Sequence, residues 1–477
     1  MTKRKLIIFS ALACLMPIFQ ACRIPAVMEK TENRELPGSY NSSQDTTNSA
    51  DMNWRDFFSD AYLYDLVETA LKNNQELNIV LQEINISQNE VLTRKGEYLP
   101  FVDVQGAAGV EKVGRYTSQG ANDANTDIEP GKEFPDPLPD FMLAGYASWE
   151  VDIWRKLRNA KKAALTRYLS SVEGKNFLVT QLVSEVAGSY FELMALDNQL
   201  ENVKRNIEIQ QNVLKIIKLQ KQAAKATELA VRKFEAEVLK NQSLQYDIQQ
   251  QITETENRIN FLLGRYPQPI LRNSQFFTEM KPTAVFEGIP SQLLANRPDI
   301  RQAELELSAS KLDVQVARAE FYPSLRITAG LGFQAFNPKL LVTTPESMLF
   351  NLAGDMVMPV INRNAIKANY LSANSRQIQA VYSYEQSVLN AYIEVANQVS
   401  NVSNLESSYR LKADQVETLN QSVDIATRLF QSARADYMEV LLTQRDALEA
   451  KMEMIETKKR QMDAMVRIYQ ALGGGWN

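Results

Sequence analysis

The 477-residue chain contains no histidine. That excludes imidazole-based metal sites, serine–histidine and cysteine–histidine nucleophilic pairs, and histidine proton shuttles. Cysteine is almost as scarce, with only Cys14 and Cys22. Cys14 lies inside an apolar amino-terminal run, so removal of that run leaves Cys22 alone and allows no intrachain disulfide. Glycine and proline are modest, at 18 and 17 residues, and 23% of the chain is charged. This balance suits long solvated helices better than a bundle of membrane helices. A formal net charge of -5 gives no general attraction for nucleic acid. There is no Walker loop and no glycine-rich strand-to-helix turn, and "LGGGWN" (472–477) reads as a helix stop and tail. Paired carboxylates such as Glu254 and Glu256 sit in polar helical sequence and read as solvated faces. No catalytic group, cofactor site or metal site is expected.

What is present begins at the amino terminus. Lys3, Arg4 and Lys5 precede an apolar run from Leu6 to Phe19, and "QAC" ends at Cys22. The run is too short to span a bilayer and suits a signal peptide. A small residue followed by cysteine resembles a bacterial lipoprotein processing site, although Phe19 and Gln20 depart from the usual Leu-Ala/Ser pattern. Cys22 is the expected acylation point, and Arg23 resembles outer-membrane sorting. Acylation adds about 0.8 kcal/mol of membrane affinity per buried methylene. Residues 23–50, rich in Ser, Asn, Thr and Asp, read as a flexible tether.

The rest of the chain is written twice. Residues 73–110 align without gaps on 296–333, pairing Glu83 with Glu306, Glu97 with Glu320 and Pro100 with Pro323. Few positions are identical, but the order of events is shared: polar helix, aromatic, proline, alternating strand. Proline fixes φ and lacks an amide donor, so Pro100 and Pro323 end one hydrogen-bonding scheme before the next begins. A polar loop follows each strand (116–140 and 337–346), then a second alternating segment (141–153 and 347–358).

Each half then enters a very long helix, over about 155–220 and 364–431. Leu193, Leu196, Leu200, Val203, Ile207, Leu214 and Ile217 recur at spacings of three and four, with Gln210 filling one seam position. At 1.5 Å per residue such a helix makes a rod of roughly 100 Å. Val416, Leu419, Val423, Ala426 and Phe430 repeat the spacing in the second half. Each rod turns at a short tip (220–228 and 431–439) and returns as a shorter helix, the second seamed by Leu448, Met452, Ile455, Met462, Val466 and Tyr469.

Four strands cannot close a membrane barrel, which needs at least eight. Either the strands are soluble hairpins or several copies each contribute four. The lipoprotein-type signal, the uncharged strand faces and the length of the helices favour the second.

"NRPDIRQAELEL", "ARAEFYPSL", "ASWEVDIW" and "MPVINRNAIKANY", with the two-fold repeat, closely resemble the TolC-like outer membrane efflux duct family, in its NodT-type lipoprotein branch. The resemblance implies a mainly α fold with a membrane β-barrel part: a homotrimer in which twelve strands form one barrel, continued by an α-helical barrel across the periplasm. It implies a bacterial outer-membrane protein that takes cargo from a periplasmic adaptor and a proton-driven inner-membrane transporter. The expected organisation is a signal peptide (1–21), a lipidated tether (22–55), a first duct repeat (56–265), a connector (266–294), a second repeat (295–472) and a tail (473–477). The exit duct of a protein secretion system shares the fold. A lipid-anchored coiled-coil scaffold without a pore is the rival of another class.

The resemblance also places site residues. Family members constrict at the periplasmic end, and "ADYMEVLLTQRDALEA" (435–450) matches that region. Glu439 and Leu442 fall in register with gate positions. Leu442 stands where an aspartate is common, Asp436 is placed to compensate, and Arg434 or Arg428 to pair with the acids across helices. Three carboxylates near one axis repel one another and attract cations. Glu228 holds the place of Glu439 in the first tip. The small residues Ala223, Ala224, Ala226, Ala433 and Ala435 admit close helix approach and make both tips expected adaptor-docking sites.

Overall fold

The computed structural model describes residues 24–40, 45–432 and 434–476. Seven helices of more than two turns and four long strands follow the duplicated order. They are α1 (Ala61–Asn73), α2 (Gln75–Tyr98), β1 (Phe101–Glu111), β2 (Leu138–Val151), α3 (Lys156–Gln222), α4 (Glu228–Leu262), α5 (Pro298–Ala319), β3 (Ser324–Ala335), β4 (Met348–Val357), α6 (Asn364–Gln431) and α7 (Tyr437–Ala471). The paired long helices have 67 and 68 residues and the returning helices 35 each. No helix among the described residues is long and apolar enough to cross a membrane.

The chain divides into two compact units, each drawing on both repeats. The first holds the strands. They form one antiparallel sheet in the order β1-β2-β3-β4, so β1 and β4 are edges. Directly paired residues project to the same face. Phe141, Leu143, Trp149 and Val151 of β2 lie opposite Ala335, Phe333, Ile327 and Leu325 of β3. Phe333, Leu331, Ala329 and Leu325 lie opposite Met348, Phe350, Leu352 and Met356 of β4. Val102 and Val104 of β1 join the same face. No charged residue occupies it. Every charge of the four strands, Asp103, Glu111, Asp140, Glu150, Arg326 and Asp355, falls on the other face. The uncharged face is bare: Val104, Phe350 and Leu352 are each more than 70% exposed.

Helix gives way to strand at Pro100 and Pro323. The indole N–H of Trp149 donates to the carbonyl of Tyr98 (3.1 Å), and that of Trp154 to the carbonyl of Pro323 (2.9 Å). Both therefore tie the returning strand to the chain beside the incoming proline. On the way back to helix, Asp152 accepts from the amides of Leu157 (3.1 Å) and Arg158 (2.9 Å) and from the Arg158 guanidinium (3.2 Å). It satisfies amide donors that the first turn of α3 leaves over. Arg155 before α3 and Asn362 before α6 both take positive φ, 59° and 56°.

The second unit is cored by Trp54, Phe57, Leu63 and Val67 packed on Val186, Tyr190 and Leu193 of α3, on Ile259 and Phe277, and on Met462, Val466 and Tyr469 of α7. Phe57 stacks on Tyr469 at 4.0 Å. The α3 seam is buried at Leu193, Leu196, Val203, Ile207 and Ile217. Gln210 is wholly buried and accepts from the Asn241 side-chain amide of α4 (2.9 Å). Arg297, 7% exposed, donates to both oxygens of Asp299, to Glu394 (2.8 Å) and to the carbonyl of Ala471 (2.8 Å).

One expectation from composition is corrected. The segment after Cys22 is not a flexible tether where it is described. In the first unit Ile24 and Val27 pack on Phe321 and Tyr370, and the Lys30 ammonium lies 4.3 Å from the Tyr382 ring. In the second unit Arg34 pairs with Glu304 (2.8 Å), Tyr40 stacks on Tyr392, and Asn48, Ser49 and Ala50 are buried. The polar residues that suggested solvation act as caps: Asn48 accepts from the Ala50 amide and Asn53 from the Arg55 amide. The carboxyl-terminal residues after the helix stop are packed in place. Gly473 and Gly475 take positive φ, Leu472 through Gly475 are buried, and Trp476 donates to the carbonyl of Asn296 (3.3 Å). A side chain at Gly473 would collide with that carbonyl.

Candidate functional site

Two regions carry the features that sequence pattern singles out. One is the pair of helix-hairpin tips, both in the second unit. Ile217, Val231 and Phe234 of the first hairpin pack with Leu441 of the second, flanked by Ala226, Phe430, Tyr437 and Met438. The two tips therefore share one small core, placed by the apolar positions on either side of each turn. Ala223 and Ala224 are exposed at the first turn, where Ala224 takes φ 56°. Ala435 is half-buried at the second. Ala433 and Cys22 lie outside the described residues.

The acids differ sharply between the tips. Thr227 caps α4 by accepting from the Ala230 amide (3.2 Å), and Glu228 one residue on is bound by Lys221 and by Arg232 (2.8 Å). The Lys221 ammonium, helped by Arg232, holds the Glu228 carboxyl below the usual carboxylate range. In the second tip Asp436 occupies the cap position of α7 without a side-chain cap bond. Asp436, Glu439 and Leu442 are exposed while Val440 and Leu441 between them are buried, so the first group faces away from the shared core. Arg428 and Arg434 are also exposed. No ion pair joins either arginine to Asp436 or Glu439 among the described residues, so the expected cross-helix pairing is absent within one copy. One like-charged row is left open to its surroundings.

The other region is the sheet itself, with its charge-bearing face and its two free edges. Glu150 and Arg326 are direct cross-strand partners, and Arg326 and Asp355 are the next pair. Sequence pattern alone does not single out that row; the parity of the strands finds it only once register is known. The Arg297 network is a second feature that pattern misses, because its motif signals resemblance and nothing in the spacing announces a buried cation. Glu256, which reads as a solvated carboxylate, instead binds Arg272 (2.6 Å), which also grips Asp197. No group of three or more Cys, Asp or Glu among the described residues is arranged to hold a metal ion.

A sheet with one uncharged exposed face, one charged face and two open edges, joined to paired coiled helices, defines a membrane strand protein of the channel-forming kind. The chain belongs to the outer membrane efflux protein family, whose model matches residues 66–265 and 289–474. It is an efflux protein of the outer membrane, from a family of ducts and not of enzymes.

Three relatives illustrate the match. The pyoverdine export outer membrane protein OpmQ of Pseudomonas putida is 27% identical over 468 residues, 97% of each chain. The cation efflux system protein CusC of Escherichia coli O157:H7 is 26% identical over 449 residues, 92% of this chain and 93% of CusC. A crystal structure of CusC superimposes with a TM-score of 0.81 at 23% identity, covering 94% of this chain and 99% of CusC. The probable outer membrane lipoprotein SilC of Salmonella typhimurium is 24% identical over 471 residues, 98% of this chain and 97% of SilC.

Proposed function

We propose that the chain is the outer-membrane duct of a tripartite efflux system, working as a homotrimer that passes small molecules or metal ions from the periplasm to the exterior. The observation that carries this reading is the sheet: a wholly uncharged outer face is stable only against lipid, and unpaired edges in hydrocarbon must be closed by further strands. Three copies supply twelve strands, enough for a closed barrel whose charged face lines water. The helical hairpins continue the passage on the periplasmic side, and their tips meet a periplasmic adaptor fed by a proton-driven inner-membrane pump. Cys22 carries the acyl anchor, as in the lipoprotein branch of the family. Asp436, Glu439 and Leu442 form the periplasmic constriction, and the alanines of both tips receive the adaptor.

Relatives with export of pyoverdine or cations in their names support a small-molecule or metal cargo over a protein. The test is direct. The purified protein should run as a heat-modifiable trimer and give discrete single-channel currents in planar bilayers. A monomer that conducts nothing would leave a lipid-anchored scaffold as the better account. Cys22→Ser should abolish labelling by radioactive palmitate, and labelling that survives would remove the anchor.

A further inference from the structure

The second helix-to-strand junction departs from the first in one consistent direction. At the first, Glu97 is held by Arg94 (3.0 Å). Its counterpart Glu320 has Ala317 where that arginine would be, and it makes no ion pair among the described residues. Leu99 at the first junction is matched by Tyr322 at the second, whose ring stacks on Trp154 with centroids 4.5 Å apart and planes 20° from parallel. Trp154 is fixed by its bond to the Pro323 carbonyl, yet is 45% exposed. Beside this stack opens a cavity of about 270 Å³, lined also by Glu150, Lys156, Glu320 and Ile366. The other acids of its wall are engaged: Glu150 pairs with Lys156 (2.5 Å), and Asp152 is held by Arg158 and two helix amides. Glu320 is left as surplus negative charge next to two accessible aromatic faces.

We propose that this cavity binds an organic cation carrying one flat aromatic group. Glu320 meets the charge, and Trp154 with Tyr322 receives the ring or the onium face, an arrangement that gains as water leaves the site. The volume, just below the range of drug-sized ligand pockets, suits a small cation. The site rests on the duct reading for its purpose, because Glu150 and Ser324 on its wall belong to the charge-bearing face of the sheet. There it would be a foothold for cargo passing from the helices to the barrel.

The experiment uses full-length protein and three probes: benzyltrimethylammonium, tetramethylammonium (charge without a ring) and benzyl alcohol (ring without a charge). Calorimetry on the solubilised protein and block of single-channel current are both read, with Glu320→Gln and Tyr322→Leu as variants, the latter installing the residue of the first junction. Benzyltrimethylammonium should bind the parent protein, and each variant should bind it roughly tenfold more weakly with an unchanged melting profile. Unaltered affinity in both variants, or equal binding of benzyl alcohol, overturns the site. A protein that conducts normally but binds none of the cations also overturns it, leaving the duct intact. Binding that persists in a protein that conducts nothing keeps the site and removes the duct.

Discussion

Glu228 and Glu439 both lie in the first turn of a returning helix, Glu228 directly after the cap Thr227 and Glu439 three residues after the cap Asp436, yet only Glu228 is locked in ion pairs. The duplication supplied two acidic tips and then neutralised one of them. We therefore assign the proposed acidic constriction to Glu439 and Asp436. The double substitution Asp436→Asn with Glu439→Ala should raise single-channel conductance and weaken any block by divalent cations. Glu228→Ala should do neither. Equal responses from the two tips would sink the assignment.

Strand faces and helix limits are legible in the order of residues alone. Alternation in β3 and β4 separates apolar from polar positions, and Pro100 and Pro323 mark where helical periodicity ends. The pairing state of the tip acids is not legible that way. It depends on Lys221 reaching back across a turn, a relationship that spacing along one helix does not encode. The amino-terminal segment misleads for a different reason. Asn48 and Asn53 look like linker residues in a count, and only contact shows them capping turns against a core of Trp54 and Phe57.

Arg297 should tolerate no replacement. Burial works against its charge, but Asp299 and Glu394 more than offset this and raise its pKa, and its last donor serves the end of α7. Arg297→Ala removes the buried partner of Asp299, leaves the half-exposed Glu394 to water and unsatisfies the Ala471 carbonyl, and should destabilise by roughly 1–3 kcal/mol. Lysine lacks the planar fork and should rescue little. Thermal unfolding of both variants beside the parent protein checks this, and a near-parental melting point for either would refute it.

The buried Gln210–Asn241 pair joins α3 to α4 beside the apolar seam of Leu196, Val203, Ile207 and Ile248. Asn241→Leu leaves the Gln210 side chain without a partner and should cost about 1–3 kcal/mol, whereas after Gln210→Leu the Asn241 amide keeps its bond to the Glu237 carbonyl (3.1 Å) and the loss should be smaller. Replacing both should recover most of that loss. A double variant weaker than each single one would show that the pair does more than satisfy itself.

Asp463 on α7 has its carboxyl pushed up to about 6, first by burial and further by Glu192 and Glu456, with Lys459 and Arg467 opposing. An unfolded aspartate titrates near 3.9, so between about 4 and 6 the folded chain holds a proton that the unfolded chain has lost. Stability therefore falls as pH rises through that window and stays reduced above it. Asp463→Asn should flatten the pH dependence and stabilise the protein at pH 7.5, by at most about 3 kcal/mol. Melting temperatures at pH 5 and 7.5 decide it: an unchanged difference between the two would rule the residue out.

Because the sheet has an even number of antiparallel strands, β1 and β4 run in opposite senses. An identical sheet can follow in the same ring without reversing any hydrogen-bond direction, whatever the number of copies. Seam chemistry is thus indifferent to stoichiometry. Hydrogen-bond polarity at the seam therefore does not choose the number of copies, which is left to the tilt and stagger of the strands and to whatever the long helices pack against.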